Sequence, residues 1–563
     1  MLHLKLKKLK IMILKNSLYY KKSLEIAKEF VQSITIVDDK AVYSNGTPVS
    51  SDFFDAGEII KKFSEQSIIC SIFKFTEEND IYRIAKISQK SDITVLDWKM
   101  TPAFEAVEND NSDDEEEDNR ESKGYYTLEI LKEVLSSEYN KFKLFVIYTD
   151  EIDFNRIVSE IKQVLKSINL PVKEESQYSF LCNSNKITIF GKEAVKTKTT
   201  HIKDIAQRAF NYAELPNAIY EEFVNFTHGV VSNIFLKSIS AIRANTFFLL
   251  NTFQREIDAA FIAHKSVLPT PDDAHEHIIE LIGSEIKSVI NGALNESITS
   301  VQIENYIELL DEKKLLFNFK KDDLDNNSNI PNSFTIGEFK VLLNKGIIST
   351  CKYENESVKS KRELSKRVIK HIPKIIIQGY DPTIEKTKLQ EHINNSNLRF
   401  AKLTTLRKRY LNANKPFLTL GVLLKGTTVA GNDEYWVCIQ PKCDSVRLSM
   451  NENMHMGRPF MFLSLTKTSK NGDIILDLNT SFKIIYNITK IRQFMFRPTK
   501  NGVVQVREVI PNEWFFLDSF GRRFEYLGEL KNDFAQGIAN SFASQVSRVA
   551  TNHSEWLRLN SIK

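Results

Sequence analysis

The sequence predicts a multidomain protein: an α/β domain with a parallel five-stranded sheet, then an all-helical middle domain, then a C-terminal β-rich domain with a terminal helix. In the first part, short apolar runs alternate with helical patterns, as they do in parallel sheets joined by crossover helices. From about residue 201, apolar residues recur at steps of three and four, which is typical of helices. From about Pro416, short β-rich runs are separated by turn signals such as Asn471-Gly472.

Five apolar runs with helical patterns between them predict the α/β domain. The helical patterns include Leu128 to Leu135 and Ile157 to Ile168. Strands that are buried on both faces read as nearly continuous apolar runs. The five predicted strands are Ser33 to Val37, Ser67 to Phe73, Ile93 to Leu96, Leu144 to Tyr148 and Lys186 to Phe190.

Shifts in composition predict the domain boundaries. The acidic run from Glu108 to Asp118 has no apolar residue that could offset the entropy of ordering, so we expect a disordered insert there. The predicted segments are an N-terminal basic helix (1–32), the α/β domain (33–200, with the insert near 107–123), a helical domain (201–320), a linker and basic helical region (321–415), the β-rich domain (416–529) and a C-terminal helix (530–563).

Bulk properties favour a soluble cytoplasmic protein. A formal net charge of +4 over 563 residues demands neither nucleic acid nor a membrane surface as partner. The five cysteines are scattered singly, which is not the dense pattern of a secreted disulfide scaffold. We find neither a secretory signal nor an apolar run of transmembrane length.

Polar and charged residues follow four of the predicted strands. Asp38-Asp39 follows the first strand, Asp97 the third, Thr149 the fourth and Lys192 the fifth. Because the carboxyl ends of parallel strands border one crevice, we expect all of these residues to face a single site. The sequence therefore predicts three carboxylates, one hydroxyl and one ammonium at one edge of the sheet.

This set of groups suits phosphoryl transfer, in which charge develops on the equatorial oxygens of the phosphoryl group. Mg²⁺ prefers carboxylate oxygens and water, and three acidic side chains with a backbone carbonyl would supply its protein ligands. Asp97 would be both metal ligand and nucleophile, as carboxylates are when they form an aspartyl phosphate. Thr149 would donate its hydroxyl to one phosphoryl oxygen, and Lys192 would pair with another.

The segments Ile34 to Lys40, VLDWKM (95–100), VIYT (146–149) and IFGK (189–192) together resemble response-regulator receiver domains. The resemblance implies a flavodoxin-like fold, with Asp38 and Asp39 as metal-site acids, Asp97 as the phosphorylation site, Thr149 as the switch hydroxyl and Lys192 as the invariant lysine. It also implies that the backbone carbonyl of Lys99 binds Mg²⁺, and that a histidine kinase is the partner. The intervals from Asp97 to Thr149 and from Thr149 to Lys192 are longer than in compact receivers. No enzymatic activity is expected beyond Mg²⁺-dependent phosphorylation of the protein itself.

Three later segments, 242–268, 435–448 and 547–559, resemble the receiver-bearing regulator of Detocs-type anti-phage two-component systems. That resemblance implies a regulator or phosphate sink, with an effector protein of the same operon as a further partner. The alternative is a response regulator effector whose C-terminal region binds nucleic acid through the basic stretch from Lys359 to Lys370. The sequence disfavours nucleic acid, because no recognition-helix or base-stacking pattern accompanies these charges. A receiver that no longer transfers phosphate also stays open, as does a homodimer.

Overall fold

The computed structural model describes part of the chain. The chain splits into two compact units. The first contains the described residues up to 308 together with those in 340–344, and the second contains those from 372 onwards. The described residues are 17–43, 54–102, 124–136, 142–268, 273–294, 303–308, 340–341, 343–344, 372–374, 376–377, 384–408, 415–428, 431–449, 457–468, 472–510 and 513–546.

Strands and helices alternate through the first part of unit one. The strands are β1 Ser33–Asp38, β2 Ala41–Val42, β3 Phe54–Asp55, β4 Ile69–Lys74, β5 Ile93–Leu96, β6 Lys143–Thr149, β7 Val172–Ser176, β8 Ser179–Cys182 and β9 Asn185–Gly191. The helices are α1 Leu18–Phe30, α2 Ala56–Ser64, α3 Asp80–Ser88, α4 Tyr125–Ser136, α5 Phe154–Ser167, α6 Glu193–Lys198, α7 Lys203–Ala206, α8 Leu215–Thr227, α9 Val230–Ala244, α10 Thr246–Thr252, α11 Asp258–Val267 and α12 Asp273–Ala293.

The main sheet has the order β4-β1-β5-β6-β9-β8-β7. The five strands β4, β1, β5, β6 and β9 are parallel, which gives the mostly parallel sheet that the sequence predicts. The predicted count of five strands was too low, because β8 and β7 extend the sheet to seven as an antiparallel hairpin. Strand β7 has the polar sequence VKEES and is largely exposed, so no apolar run reveals it. The short pair β2-β3 was also missed.

Both faces of the sheet are covered, which explains why β5, β6 and β9 are buried along their whole length. One core lies under α3, α4 and α5 and includes Trp98, Ile130 and Ile157. The other lies under α1, α2 and α8 and includes Ala27, Ile59 and Phe223. Helices α1 and α8 therefore pack on the sheet, although the sequence assigns them to segments outside 33–200.

Helices dominate the region after the sheet, as the sequence predicts. The apolar pattern through Ile219 to Ile234 belongs to two helices, α8 and α9, which are separated at His228 and Gly229. Helix α12 spans Asp273–Ala293.

The second unit is rich in β-structure, again as predicted. One long helix, α13 Lys386–Thr405, precedes the strands, and α14 Asn532–Val546 follows them. The sheet is antiparallel, with the order β13-β14-β12-β11-β10-β18-β17-β16, and β15 pairs with β12. Its strands are β10 Val422–Thr427, β11 Asp433–Cys438, β12 Arg458–Thr468, β13 Ile474–Ile475, β14 Ser481–Ile484, β15 Ile491–Phe496, β16 Arg507–Ile510, β17 Glu513–Leu517 and β18 Arg523–Glu529. An aromatic core around Trp436 and Phe496 lies on one side, and α14 packs into a second core through Ile538.

Several sequence predictions fall outside the described residues. They are the disordered insert near 107–123, the first part of the predicted linker and basic helical region (321–339), the basic stretch from Lys359 to Lys370 and the tail segment 547–559. Within the described part, no helix combines the length and apolar character needed to span a bilayer.

Candidate functional site

The three predicted acids meet at the carboxyl edge of the main sheet. Asp38 is the last residue of β1, Asp39 follows it, and Asp97 follows β5, the parallel neighbour of β1. One carboxylate oxygen from each residue lies within 4.8 Å of the other two. Oxygens at this spacing can share one divalent ion, since Mg²⁺–oxygen bonds are about 2.0–2.1 Å long.

Hydrogen bonds fix two of the carboxylates and leave oxygens available. Asp38 Oδ1 accepts a hydrogen bond from the backbone N–H of Lys40 at 2.8 Å. Asp39 Oδ2 accepts one from the backbone N–H of Thr101 at 3.1 Å. The buried atom Asp39 Oδ1 accepts none from the part of the chain that the structure describes, and Asp97 Oδ1 accepts none there either but lies 3.3 Å from the ammonium of Lys192. Buried polar atoms are rarely left without a partner, so this donor set fits a hard cation such as Mg²⁺.

Lys192 supplies the positive charge at the site. It follows β9, and its ammonium lies 2.8 Å from Asp38 Oδ2 and 3.3 Å from Asp97 Oδ1. The rings of Phe54 and Tyr148 flank it, with centroids 5.5 Å and 6.0 Å from Nζ. Lys192 thus pairs with two of the three acids, and acidic groups outnumber basic ones among these four side chains.

The electrostatics of the site reflect this crowding. Burial raises the pKa of Asp97 to about 8; Lys192 opposes the shift, while Asp38 and Asp39 add to it. Burial, and then the charge of Asp38, raises the pKa of Asp39. Burial would lower the pKa of Lys192, but Asp97 and Asp38 outweigh burial and raise it above the ordinary value. A bound divalent ion would favour the ionised carboxylates.

Thr149 is fully buried at the end of β6, which lies between β5 and β9. Its hydroxyl accepts a hydrogen bond from the backbone N–H of Glu151 at 3.1 Å, and its carbonyl accepts one from the backbone N–H of Lys192 at 2.7 Å. The side chain of Lys99 pairs with Glu151 at 3.2 Å on the rim of the site. A metal contact through the backbone carbonyl of Lys99 remains a prediction.

Sequence reasoning missed two residues that position the acceptor loop. The hydroxyl of Thr127, in the first turn of α4, donates to the carbonyl of Asp97 at 2.5 Å and lies 3.2 Å from that of Trp98. Gly124 has φ +63, and a Cβ there would overlap the ring of Trp98. Gly124 directly before the α4 pattern was a signal that could have been read, because glycine favours such close approach. Thr127 gave no signal, since its contact spans 30 residues.

Comparison with known proteins agrees with this geometry. Residues 30–197 match the family model described as a response receiver domain. No curated protein matches the chain significantly. No solved structure does either. The matched residues contain β1, β5, β6 and β9 with the three acids and Lys192, so this part of the chain is similar to response receiver domains.

Proposed function

We propose that this chain is a response regulator that accepts a phosphoryl group from a histidine kinase onto Asp97. Asp38, Asp39, Asp97 and the backbone carbonyl of Lys99 would hold Mg²⁺. The proposal depends on one observation: carboxylate oxygens of three acids lie within 4.8 Å of one another, beside Lys192. Receiver domains take phosphate from histidine kinases and generally use Mg²⁺ bound by acidic residues, so the match to residues 30–197 supports both parts.

Each of these residues has a separate role in phosphoryl transfer. A carboxylate oxygen of Asp97 attacks phosphorus, the P–O bond to Asp97 forms, and the P–N bond to the kinase imidazole breaks. When bound, Mg²⁺ supplies charge that neutralises the phosphoryl oxygens. Lys192 is already 3.3 Å from Asp97 and would pair with one of these oxygens. The hydroxyl of Thr149 would turn from Glu151 to donate to another.

In this proposal, the protein is a regulator or phosphate sink of a cytoplasmic two-component system, and its partners are the histidine kinase and an effector protein of the same operon. The anti-phage role is supported by the resemblance of the segments 242–268, 435–448 and 547–559. Comparison of phage resistance between cells that carry wild-type protein and cells that carry Asp97→Asn tests that role. The nucleic-acid alternative is supported by the basic stretch from Lys359 to Lys370, which lies outside the described residues.

The test of phospho-acceptance uses the full chain with Mg²⁺ and a small acyl phosphate, acetyl phosphate, as donor. We expect intact-protein mass spectrometry to show one added phosphoryl group on wild-type protein, and none on Asp97→Asn or on wild-type protein with EDTA. Asp258→Asn, at an exposed position of α11, is the matched control and should be labelled like wild type.

If Asp97→Asn were labelled to the wild-type extent, a residue other than Asp97 would be the phosphoryl acceptor. Wild-type protein that stays unlabelled both with acetyl phosphate and with a phosphorylated kinase from the same locus would contradict phospho-acceptance and favour an inert receiver scaffold.

A further inference from the structure

Helices α9 to α12 display a large apolar surface, which we call the helical face. None of the residues of α10 or α11 is buried, and Ala274 is the one buried residue of the 21-residue helix α12. A soluble helix normally buries its apolar side. Eleven large apolar residues of these helices and of the turn between α10 and α11 are exposed: Val231, Phe235, Phe247, Phe248, Leu250, Ile257, Ile262, Val267, Ile279, Leu281 and Ile282.

The helical face rests on a well-anchored helix. Helix α9 packs against α1, α10 and α12, and α11 packs against α12, so each of the other three helices is connected to α9 directly or through α12. Asn233 donates a hydrogen bond to Ser23 Oγ at 2.7 Å in the buried contact between α9 and α1. At the other end of α9, the guanidinium of Arg243 lies 2.8 Å from Asp92, whose carboxylate also accepts hydrogen bonds from the start of β1. The apolar residues are therefore presented by helices tied to the receiver sheet.

The size of the helical face matches what a stable dimer needs. Phe247 and Phe248 are 82% and 71% exposed, and Phe235 is 62% exposed. At roughly 200 Å² for a fully exposed phenylalanine, these three residues present about 400 Å², and all eleven present on the order of 1,000 Å². The largest apolar patch of a typical monomer is about 300–600 Å², whereas a standard interface buries about 800 Å² on each partner.

The charges around the helical face are of both signs, with an acidic excess. Lys237 and Arg243 of α9 pair with Glu29 and Asp92, away from this face. The other charged side chains among the described residues of α9 to α12 and the turns between them are three basic ones, Arg255, Lys265 and Lys287, and six acidic ones, Glu256, Asp258, Asp273, Glu276, Glu280 and Glu285. A surface with both signs is compatible with a copy of itself. It does not favour a polyanion such as nucleic acid, nor an anionic membrane.

We infer that the helical face is an interface between two copies of this chain. In a two-fold symmetric pair the same residues of both copies meet, so the apolar side chains become buried and the mixed charges surround them. This inference rests on helices outside the match at 30–197, and it does not depend on phosphorylation of Asp97.

The test measures the mass of the full-length protein in solution by sedimentation velocity across a concentration series. We expect wild-type protein to be a dimer and the double variant Phe247→Glu/Phe248→Glu to dissociate, with a dissociation constant raised at least about a hundredfold. Phe400→Glu is the matched control, because Phe400 is 68% exposed on α13 in the other unit; it should remain a dimer. Circular dichroism checks the fold of each variant, and because the substituted side chains are exposed, unchanged spectra are expected.

Three outcomes would overturn the inference. A wild-type monomer at all concentrations means that the chain does not pair. A dimer that persists in the double variant means that pairing uses another surface. A wild-type monomer that co-sediments with phosphatidylserine vesicles, while the double variant does not, assigns the helical face to membranes. Acetyl phosphate labelling of Asp97 in the same samples separates any of these results from failure of the proposed function.

Discussion

Two clusters of buried charge lie in unit one, and they differ in balance. At the carboxyl edge, Lys192 pairs with Asp38 and Asp97, and Asp39 completes the group of three acids. The second cluster, which we call the ionic cluster, lies around β7 to β9 and α8. There Lys186 lies 2.7 Å from Glu175 and 3.1 Å from Glu222. Arg208 is nearby and donates to the carbonyl of Ile189 at 2.9 Å. The ionic cluster thus has two cations for two acids.

The pKa values of two buried carboxyls show the consequence. Burial alone would raise the pKa of Glu222, but Lys186 and Arg208 outweigh it and hold that pKa below its usual range. Burial raises the pKa of Asp97, and the neighbouring acids raise it further. Lys192 lowers this pKa, but not enough to offset both effects. A balanced cluster satisfies itself and supports the fold, whereas an excess of buried carboxylates is suited to bind a cation. Charge balance therefore distinguishes the structural cluster from the candidate functional one.

The largest expected effect comes from removing the cation of the ionic cluster. Lys186→Met leaves Glu175 and Glu222 without their closest positive partner, and breaking a buried ion pair in this way costs about 3–5 kcal/mol of stability. We expect faster hydrogen exchange of β8 and β9 peptides, to the same extent with and without Mg²⁺.

Lys192→Met is the comparison for that variant. It leaves three carboxylates without an ammonium, so its stability loss should shrink when Mg²⁺ is added. If Mg²⁺ restored Lys186→Met as well, or restored neither variant, the distinction between the two clusters would be wrong.

Replacing one carboxyl by an amide should change the free energy of unfolding in opposite directions in the two clusters. Glu222 has a lowered pKa, so its ionised form adds stability that is present above the unfolded pKa and is lost as pH falls through the folded one. Glu222→Gln should therefore lower the free energy of unfolding at pH 7 by about 2 kcal/mol. Asp97 has a raised pKa, so its ionised form is penalised in the fold and stability falls as pH rises towards about 8. Asp97→Asn should therefore raise stability in Mg²⁺-free buffer at pH 7, by on the order of 1 kcal/mol.

Thermal unfolding of both amide variants measures whether each substitution raises or lowers stability. Addition of Mg²⁺ should stabilise wild-type protein more than Asp97→Asn, because the variant has lost a ligand. If both variants changed the unfolding temperature in the same direction in Mg²⁺-free buffer, the proposed difference in charge balance between the two clusters would be wrong.

The candidate site was predictable from sequence because its signals are local. Each acid stands directly after an apolar run, and a strand that is buried along its length must end where such a run ends. Parallel pairing then brings Asp38, Asp97 and Lys192 to one edge, as the register Val37 to Leu96 and Thr149 to Gly191 shows. The ends of the apolar runs and the parallel pairing of the strands were therefore enough to predict that these residues lie close together.

The ionic cluster was not predictable, since its contacts connect distant parts of the chain. Lys186 and Glu222 come from β9 and α8, and nothing near either residue indicates the other. Strand β7 was missed for a related reason: its polar residues face solvent, and Lys162 reaches Glu174 across 12 residues. The role of α8 as a cover of the sheet depends on the same long-range packing.

The last prediction concerns how Mg²⁺ binding depends on pH. Mg²⁺ binds ionised carboxylates, and in the metal-free site burial keeps the pKa of Asp97 near 8 and the pKa of Asp39 above its usual range. Binding must therefore release a proton below about pH 8, and the affinity should rise about tenfold per pH unit between about pH 6 and pH 8 before it levels off. Titration calorimetry in two buffers of different ionisation enthalpy measures both affinity and released protons. Asp97→Asn should flatten this dependence, whereas Glu222→Gln should leave it unchanged, because Glu222 belongs to the balanced cluster. A wild-type affinity that stays constant over this range would show that the excess negative charge at the sheet edge is not what binds the cation.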